Sequence, residues 1–153
     1  MYYSLYKDIK TILASAFGIG LDPDTGIVKD GTDELRDIQW FNNQYEGTIH
    51  TAPVVFIEFS DLDITDQTKQ AKQTVIQFRL HVVTEVMDES DGDVADGDVW
   101  HHEALACKVL DALEDCKLHF EGHETRPLRA FRWAHHHKYN GFMVTLIDLK
   151  TKG

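Results

Sequence analysis

The sequence predicts an α+β fold: an antiparallel or mixed β-sheet of about four or five strands, with two α-helices packed on it and a C-terminal β-hairpin. Three features carry this prediction. Apolar residues recur at helical spacing over residues 2–17 and again over 99–117, and apolar and polar residues alternate from 74 to 85. This order of helices and strands is typical of a sheet with helices packed on it. A chain of 153 residues, 42% of them hydrophobic, is expected to form one domain, 1–153.

The N-terminal helix is predicted over residues 2–17 and is expected to stop at Gly18 and Gly20, because glycine readily ends a helix. The polar segment 21–34 is predicted to be a loop. A short strand is predicted over 38–41, although a helical turn fits there nearly as well. The apolar residues of the helix are Leu5, Ile9, Ile12, Leu13, Ala16 and Phe17.

Two longer strands are predicted next. Residues 54–59, which follow Pro53, form an apolar, β-branched and aromatic run that is typical of a buried strand. A polar loop around 61–66 leads to a second strand over 74–85. One alternating set in this strand is apolar throughout and is predicted to face the core: Ile76, Phe78, Leu80 and Val82.

An acidic, glycine-containing loop is predicted over 86–98. Its last carboxylates, Asp96 and Asp98, favour the N-terminus of a helix, which is predicted over about 99–117. One face of this helix is apolar and is expected to pack on the sheet. That face holds Ala106, Val109, Leu110 and Leu113.

A C-terminal hairpin is predicted over 128–139 and 142–149, because Asn140-Gly141 between alternating segments is a strong signal for a two-residue turn. The expected cross-strand pairs are Tyr139–Phe142, His137–Val144, His135–Leu146 and Trp133–Asp148. One face of the hairpin is then predicted to join the core through Phe131, Trp133, Tyr139, Phe142, Val144 and Leu146.

The charge of the chain limits its partners. Acidic residues number 26 against 15 basic ones, which gives a formal net charge of −11 and a pI near 5.1. Such a surface repels phosphate backbones and anionic lipids, so we expect neither a sequence-specific nucleic acid nor a membrane as partner. The sequence also has no apolar run of roughly 18 residues, and its N-terminus lacks the layout of a signal peptide.

The two cysteines, Cys107 and Cys116, are predicted to lie on one helix. Nine residues of helix separate them by about 13 Å, which is too far for a disulfide. We therefore expect reduced thiols in a cytoplasmic compartment. Cys107 beside a histidine is a conceivable catalytic dyad, but a small buried thiol next to the apolar face explains it better.

Nine histidines raise the question of a metal site, and seven of them lie in three clusters. Zinc needs three or four converging ligands. A strand presents at most two histidines of a triplet on one face, and Gly122 argues against a helix that would align a pair four residues apart. The acidic 86–98 loop also fails the ligand spacing of a calcium-binding EF-hand. The clusters are His101-His102-Glu103, His119 with His123, and His135-His136-His137.

Motifs for catalysis are absent from the sequence: it contains no G-x-S-x-G, no phosphate-binding glycine loop and no G-x-G-x-x-G. We therefore predict a non-enzymatic protein with no catalytic, cofactor-binding or metal-binding residue and no cofactor. The sequence does not distinguish a core position from an interface position for Trp40, Trp100 and Trp133.

The order of elements carries a resemblance to a known family. It consists of the N-terminal amphipathic helix, the proline-led strand 53–59, the long strand 75–83, the helix 102–113 and the terminal hairpin through 142–146. This layout resembles the tail terminator, or tail-completion, proteins of long-tailed phages and related prophages. The similarity spans nearly the whole chain and rests on the order and lengths of the elements. The acidic 86–98 loop and the histidine triplet are not expected of the family.

The resemblance implies a non-catalytic virion tail protein, assembled in the cytoplasm of a bacterial host. Such a subunit forms a homo-oligomeric ring, usually a hexamer, that caps the tail tube and joins it to the head. The implied partners are copies of itself, the tail tube protein and head–tail connector proteins. The alternatives are another head–tail connector (neck) component, a small metal-dependent hydrolase that uses the histidines, and a host-encoded binding module.

Overall fold

The computed structural model describes residues 2–42, 52–60, 63–66, 72–86, 89–90, 93–94, 96–136 and 141–153. The helices in these ranges are α1 (Tyr2–Ala16) and α2 (Asp96–Leu113). The strands are β1 (Gly20–Leu21), β2 (Val28–Asp30), β3 (Asp37–Trp40), β4 (Val54–Phe59), β5 (Asp63–Asp66), β6 (Lys72–Glu85), β7 (Glu89–Ser90), β8 (Asp93–Val94), β9 (His119–Phe120), β10 (His123–Glu124), β11 (Arg129–His136) and β12 (Phe142–Lys152). No helix in the described part of the chain is long and apolar enough to cross a membrane.

The main sheet is mixed and contains six strands. Its order is β11-β12-β6-β4-β3, and β5 pairs with β6 beside this path. β12 runs along one side of β6 from Glu85 to Val75, so β4 and β5 both lie along the other side of β6. The β3–β4 pair is parallel and the other pairs of this sheet are antiparallel. The predicted α+β class, with a mixed sheet and a C-terminal hairpin, is confirmed.

Both helices cover one face of this sheet and enclose the main core. The alternating residues of β6 that were predicted to face inward are all fully buried there. Burial of each such aliphatic or aromatic side chain contributes roughly 1.5–3 kcal/mol. The cluster includes Leu5, Ile9 and Leu13 of α1, Leu105, Val109 and Leu113 of α2, and Ile76, Phe78, Leu80, Val82, Ile147 and Leu149 of the sheet.

The face away from the helices has a smaller core of its own, formed by Val54, Phe56, Val83, Val144 and Leu146 with Ala52. One ion pair and one pair of stacked rings extend this face along the sheet. The guanidinium of Arg79 donates to both carboxylate oxygens of Asp148, at 2.7 and 3.2 Å. The ring of His81 stacks on Phe41, with 3.9 Å between the centroids. β12 is therefore buried from Met143 to Leu149, because both of its faces are covered.

Three segments that were predicted to be loops contain short strands. Segment 21–34 contains most of the β1–β2 hairpin, 61–66 contains β5, and 86–98 contains β7 and β8. Strands of two to four residues have too few alternating positions to show a period in the sequence. Each is therefore defined by its pairing with a neighbour, which the residue pattern does not report.

The second helix begins and ends earlier than predicted, over Asp96–Leu113 instead of 99–117. Its start includes Asp96 and Asp98, because carboxylates in the first turn interact favourably with the helix dipole. Its end is set by Asp115, whose φ of 68° lies in the left-handed region that stops a helix. The amide of Cys116 then donates to the carbonyl of Leu113 at 3.0 Å.

The register of the C-terminal hairpin differs by one residue from the prediction. The pair His136–Val144 leaves residues 137–143 between the partners, an odd number, whereas a two-residue turn leaves an even number. Gly141 has a positive φ, at 83°, as a tight turn at this position requires, but Asn140 and the predicted partners His137 and Tyr139 lie outside the described residues. The observed pairs include Trp133–Ile147, Ala134–Leu146, His135–Thr145 and His136–Val144.

This shift changes which side chains reach the core, because neighbouring residues of a strand point to opposite faces. Trp133 is paired with Ile147 and so lies on the helix side of the sheet. A bulge between Ala130 and Arg132 turns Phe131 to the opposite side. Both aromatic residues are exposed, so the prediction that they join the core is wrong.

Candidate functional site

The junction between α2 and the sheet contains a buried histidine, His102, which is 1% exposed. Its Nδ1 lies 2.7 Å from the hydroxyl of Thr84 on β6, and its Nε2 lies 2.7 Å from the hydroxyl of Thr145 on β12. A neutral imidazole donates through one nitrogen and accepts through the other, and both hydroxyls can take either role. This side chain therefore links the helix to two adjacent strands.

The protonation state of His102 follows from its surroundings. Burial, and after it the nearby imidazole of His135, lower the pKa of His102 from 6.5 to about 4. The ring is therefore neutral near pH 7 and a weak base. Its second nitrogen contacts a hydroxyl where a catalytic triad has a carboxylate, so the geometry fits a structural role.

The structural role of His102 is also indicated by the sequence, through its helical spacing, although the histidine cluster was interpreted only as a set of candidate metal ligands. Of the adjacent pair His101 and His102, only His102 has the spacing that continues the buried side of α2. The matching positions three, four, seven and eleven residues later are all buried. They are Leu105, Ala106, Val109 and Leu113.

A cleft of about 520 Å³ lies between α2, the segment before β3 and the end of β6. Two ion pairs lie in its lining: Lys108 donates to Glu34 at 2.5 Å, and Arg36 lies 3.7 Å from Asp33. Trp100, which is 65% exposed, lines it as well. The lining is thus mixed in charge.

The remaining described histidines are spread over the molecule. His119 and His123 lie on the small β9–β10 hairpin, where Gly122 has a φ of 79°, so the prediction that this pair is not helical is confirmed. Nε2 of His119 lies 2.9 Å from Glu124. The side chain of His81 lies 2.8 Å from Glu58, and burial lowers the pKa of His81.

Consecutive positions put His135 and His136 on opposite faces of β11, as predicted for the triplet, while His137 lies outside the described residues. Within the ranges that the structure describes, no three histidine, cysteine, aspartate or glutamate side chains are grouped so that they could hold a metal. The expectation that the protein binds no metal and no cofactor stays a prediction.

Both cysteines are free thiols, but their positions differ from the prediction. Cys107 is exposed, because it lies about 100° around the helix from the buried Ala106. The prediction of a buried thiol there is wrong. Cys116 lies beyond the end of α2 at Leu113, and its thiol donates to the carbonyl of Ala112 at 3.1 Å.

The strand β11 forms one edge of the main sheet and carries exposed aromatic and basic side chains. Phe131 is 44% and Trp133 is 40% exposed. The ammonium of Lys150 lies 5.0 Å from the centre of the Phe131 ring, and Arg132 is exposed beside it. We call this surface, together with Arg129, the basic edge.

The start of β11 is covered, whereas its later part is not paired on the outer side. Leu128 donates its amide to the carbonyl of Cys116 at 2.7 Å, and Ala130 donates to the carboxylate of Glu114 at 2.9 Å. Beyond this point, no described strand pairs with the outer side of β11. Arg129 forms an ion pair with Asp115 at the same end.

The β1–β2 hairpin, residues 20–30, presents the opposite charge, with three carboxylates and one lysine. Its turn is ordered by Asp22, whose side chain accepts from the amides of Asp24 and Thr25 at 2.8 and 2.9 Å. These hydrogen bonds lower the pKa of Asp22. Ile27 projects from the turn and is 62% exposed. We call this element the acidic hairpin.

Two helices on one face of a mixed sheet, with a β-hairpin at the C-terminus, define the structural class of the chain. No family model matches the chain, and no curated protein sequence matches it either. Among solved structures, the fold is similar to that of a chain in a structure described as the virion of a native gene transfer agent particle. That similarity has a TM-score of 0.59 at 14% identity and covers 99% of this chain and 95% of the other. At this identity the similarity shows a shared fold.

Proposed function

We propose that this chain is a structural component of a phage-like virion and that it acts there as the tail terminator. In this role, copies of the chain form a ring, a hexamer as in the family that the sequence resembles, which caps the tail tube and joins it to the head. The supporting observation is the fold similarity to a chain of a gene transfer agent virion, which covers nearly the full length of both chains.

The distribution of polar and apolar groups supports an assembly role over a catalytic one. The buried His102 is held between two hydroxyls and serves the fold. The exposed aromatic residues of the basic edge and Ile27 of the acidic hairpin lie at the surface, where proteins use such side chains for contacts with other proteins. The proposal accordingly assigns no catalytic residue and no cofactor.

The partners in this proposal are neighbouring copies, the tail tube protein and the head–tail connector. The chain acts as one domain in the virion tail after assembly in the host cytoplasm. A net charge of −11 per subunit suits a ring through which DNA passes, since like charge keeps the phosphate backbone from binding to its wall.

Light scattering across protein concentration, followed by negative-stain imaging with tail tubes of the phage or prophage that encodes the chain, tests the proposal. We expect concentration-dependent rings and tube ends closed by added protein. A chain that stays monomeric throughout and leaves tube ends open contradicts it. Binding to head connectors without closure of tube ends assigns the chain to another neck component.

A further inference from the structure

Two oppositely charged surfaces are formed by separate elements of the fold. The basic edge is β11, the first strand of the sheet order, and the acidic hairpin leads through residues 31–36 into β3, the last strand. Each surface combines charge with an exposed apolar side chain: Phe131 and Trp133 on the basic edge, and Ile27 on the acidic hairpin. The two surfaces therefore carry opposite charges, and each also offers apolar area to a partner.

From this arrangement we propose that the acidic hairpin of one subunit binds the basic edge of a second copy of the chain. This inference rests on the proposed function, because it names the contact between neighbours in the ring. A ring needs a heterologous interface, in which two different patches of the same chain meet and the rotation between copies closes. Two separate patches of one chain meet that requirement.

The basic edge has the chemistry of the receiving surface. Aromatic and arginine side chains are enriched in protein interfaces and account for much of their binding energy. The bulge places Phe131 and Trp133 on opposite faces of the strand, so an apolar contact is available on each side of the edge. Lys150 and Arg132 border Phe131 and supply positive charge.

The acidic hairpin has the chemistry of the inserted element. The carboxylate of Asp22 holds the amides of Asp24 and Thr25, and the amide of Asp22 donates to the carbonyl of Ile27 at 2.8 Å. The turn is thus ordered before any contact forms, which reduces the entropy lost on binding. Asp24 and Asp30 remain exposed and carry the charge that matches the basic edge.

Charge reversal on each surface tests this contact. Asp24→Lys with Asp30→Lys reverses the hairpin and leaves the Asp22 turn intact, and Arg132→Glu with Lys150→Glu reverses the edge. We expect each double variant alone to weaken self-association at least ~tenfold, because like charges then meet at the interface. In an equimolar mixture, both kinds of contact between unlike variants join opposite charges, so self-association is expected to recover with the two variants alternating. Sedimentation velocity of the variants and the mixture measures this.

The matched control makes the same change in net charge at exposed positions of α2. Glu103→Lys with Asp111→Lys alters the net charge as the hairpin variant does, at two exposed helical positions. We expect its self-association to stay within ~threefold of the unmodified chain. Equal loss of association in the control and the hairpin variant, or no loss in either reversed variant, overturns the inference.

Disulfide trapping tests the same contact when association is weak. In a Cys107→Ser, Cys116→Ser background, Ile27→Cys with Trp133→Cys is expected to form an intermolecular disulfide ladder under mild oxidation. Ile27→Cys with Asp111→Cys is the control and is expected to give none. Ladders of equal intensity in both, or in neither, contradict the contact.

The outcomes separate this inference from the proposed function. If the unmodified chain forms rings and closes tube ends while the reversed variants do the same, the function stands and the hairpin–edge contact is wrong. If the unmodified chain neither associates nor closes tube ends, and no ladder forms, both proposals fail.

Discussion

The junction of α2 with the sheet and the basic edge are neighbours, since the rings of His102 and His135 are 6.2 Å apart. They use polar and aromatic groups in opposite ways. At the junction, each nitrogen of a buried imidazole has a hydroxyl partner within the chain. On the basic edge, Phe131, Trp133 and Arg132 are exposed at the surface.

This difference separates residues that serve the fold from residues that serve a partner. A buried polar group without a hydrogen bond costs about 1–3 kcal/mol, so a satisfied network at the junction stabilises the native state. An exposed aromatic side chain contributes little to folding but offers area to a partner. Substitutions at the junction should therefore change stability, and substitutions on the edge should change assembly.

The largest effect is expected at the junction. His102→Leu removes the partner of both the Thr84 and Thr145 hydroxyls, so we expect the free energy of unfolding at pH 7 to fall by roughly 3 kcal/mol. Urea denaturation followed by circular dichroism measures this. The matched control is His101→Leu at the exposed neighbour, with an expected change within about 0.5 kcal/mol. Similar losses for both variants contradict the structural role of His102.

A second effect concerns pH and is specific to the same side chain. The folded-state pKa of His102 is about 4, whereas its ordinary value is 6.5. Between these values the unfolded chain binds more protons, so stability falls as pH falls from 6.5 toward 4. At about 1.4 kcal/mol per pKa unit, the loss between pH 7 and pH 5 is roughly 2 kcal/mol.

Comparison with His102→Leu separates the contribution of His102 to the pH dependence of stability from that of the other titrating groups. His102→Leu lacks the titrating imidazole. The difference in unfolding free energy between the unmodified chain and the variant should therefore decrease by roughly 2 kcal/mol as pH falls from 7 to 5. The buried His81, with its lowered pKa, acts in the same direction but equally in both proteins. A gap that stays constant from pH 7 to pH 5 contradicts the lowered pKa of His102.

Long, periodic segments were predictable from the sequence. The boundaries of α1 and the inward face of β6 follow from the spacing of apolar residues, because burial on one face imposes that spacing. The strands β1, β2, β5, β7 and β8 were not predicted, because such short strands show little period and, unlike β3 with its Ile38 and Trp40, they lie in polar segments. The hairpin register was wrong for a related reason: a bulge and a connection of odd length move every later side chain to the other face.

The surface was less predictable than the core. Trp133 has the same alternating pattern whether it faces the core or a partner, and only the register decides between them. Cys107 follows the buried Ala106 by one residue and was placed inside for that reason. His102 could have been assigned from its helical spacing with Leu105 and Val109, but a cluster of histidines suggests ligands before it suggests packing.

The smallest effect on stability is expected at the basic edge, where it is paired with a large effect on assembly. Trp133→Ser removes a side chain that is 40% exposed on an edge strand. We expect the free energy of unfolding to fall by no more than about 1 kcal/mol, because Trp133 belongs to neither of the two buried core clusters. Self-association should weaken at least ~tenfold, since an aromatic anchor is lost from the proposed interface.

Trp100→Ser is the matched control, because Trp100 is more exposed than Trp133 but lies on α2, away from the basic edge. It is expected to keep both stability and self-association. Urea denaturation and sedimentation velocity on the two variants measure the two quantities. A loss of several kcal/mol of stability in the Trp133 variant would show that Trp133 serves the fold. That result contradicts the contrast between the junction and the basic edge. If instead the Trp100 variant alone loses association, the interface lies at the cleft beside α2.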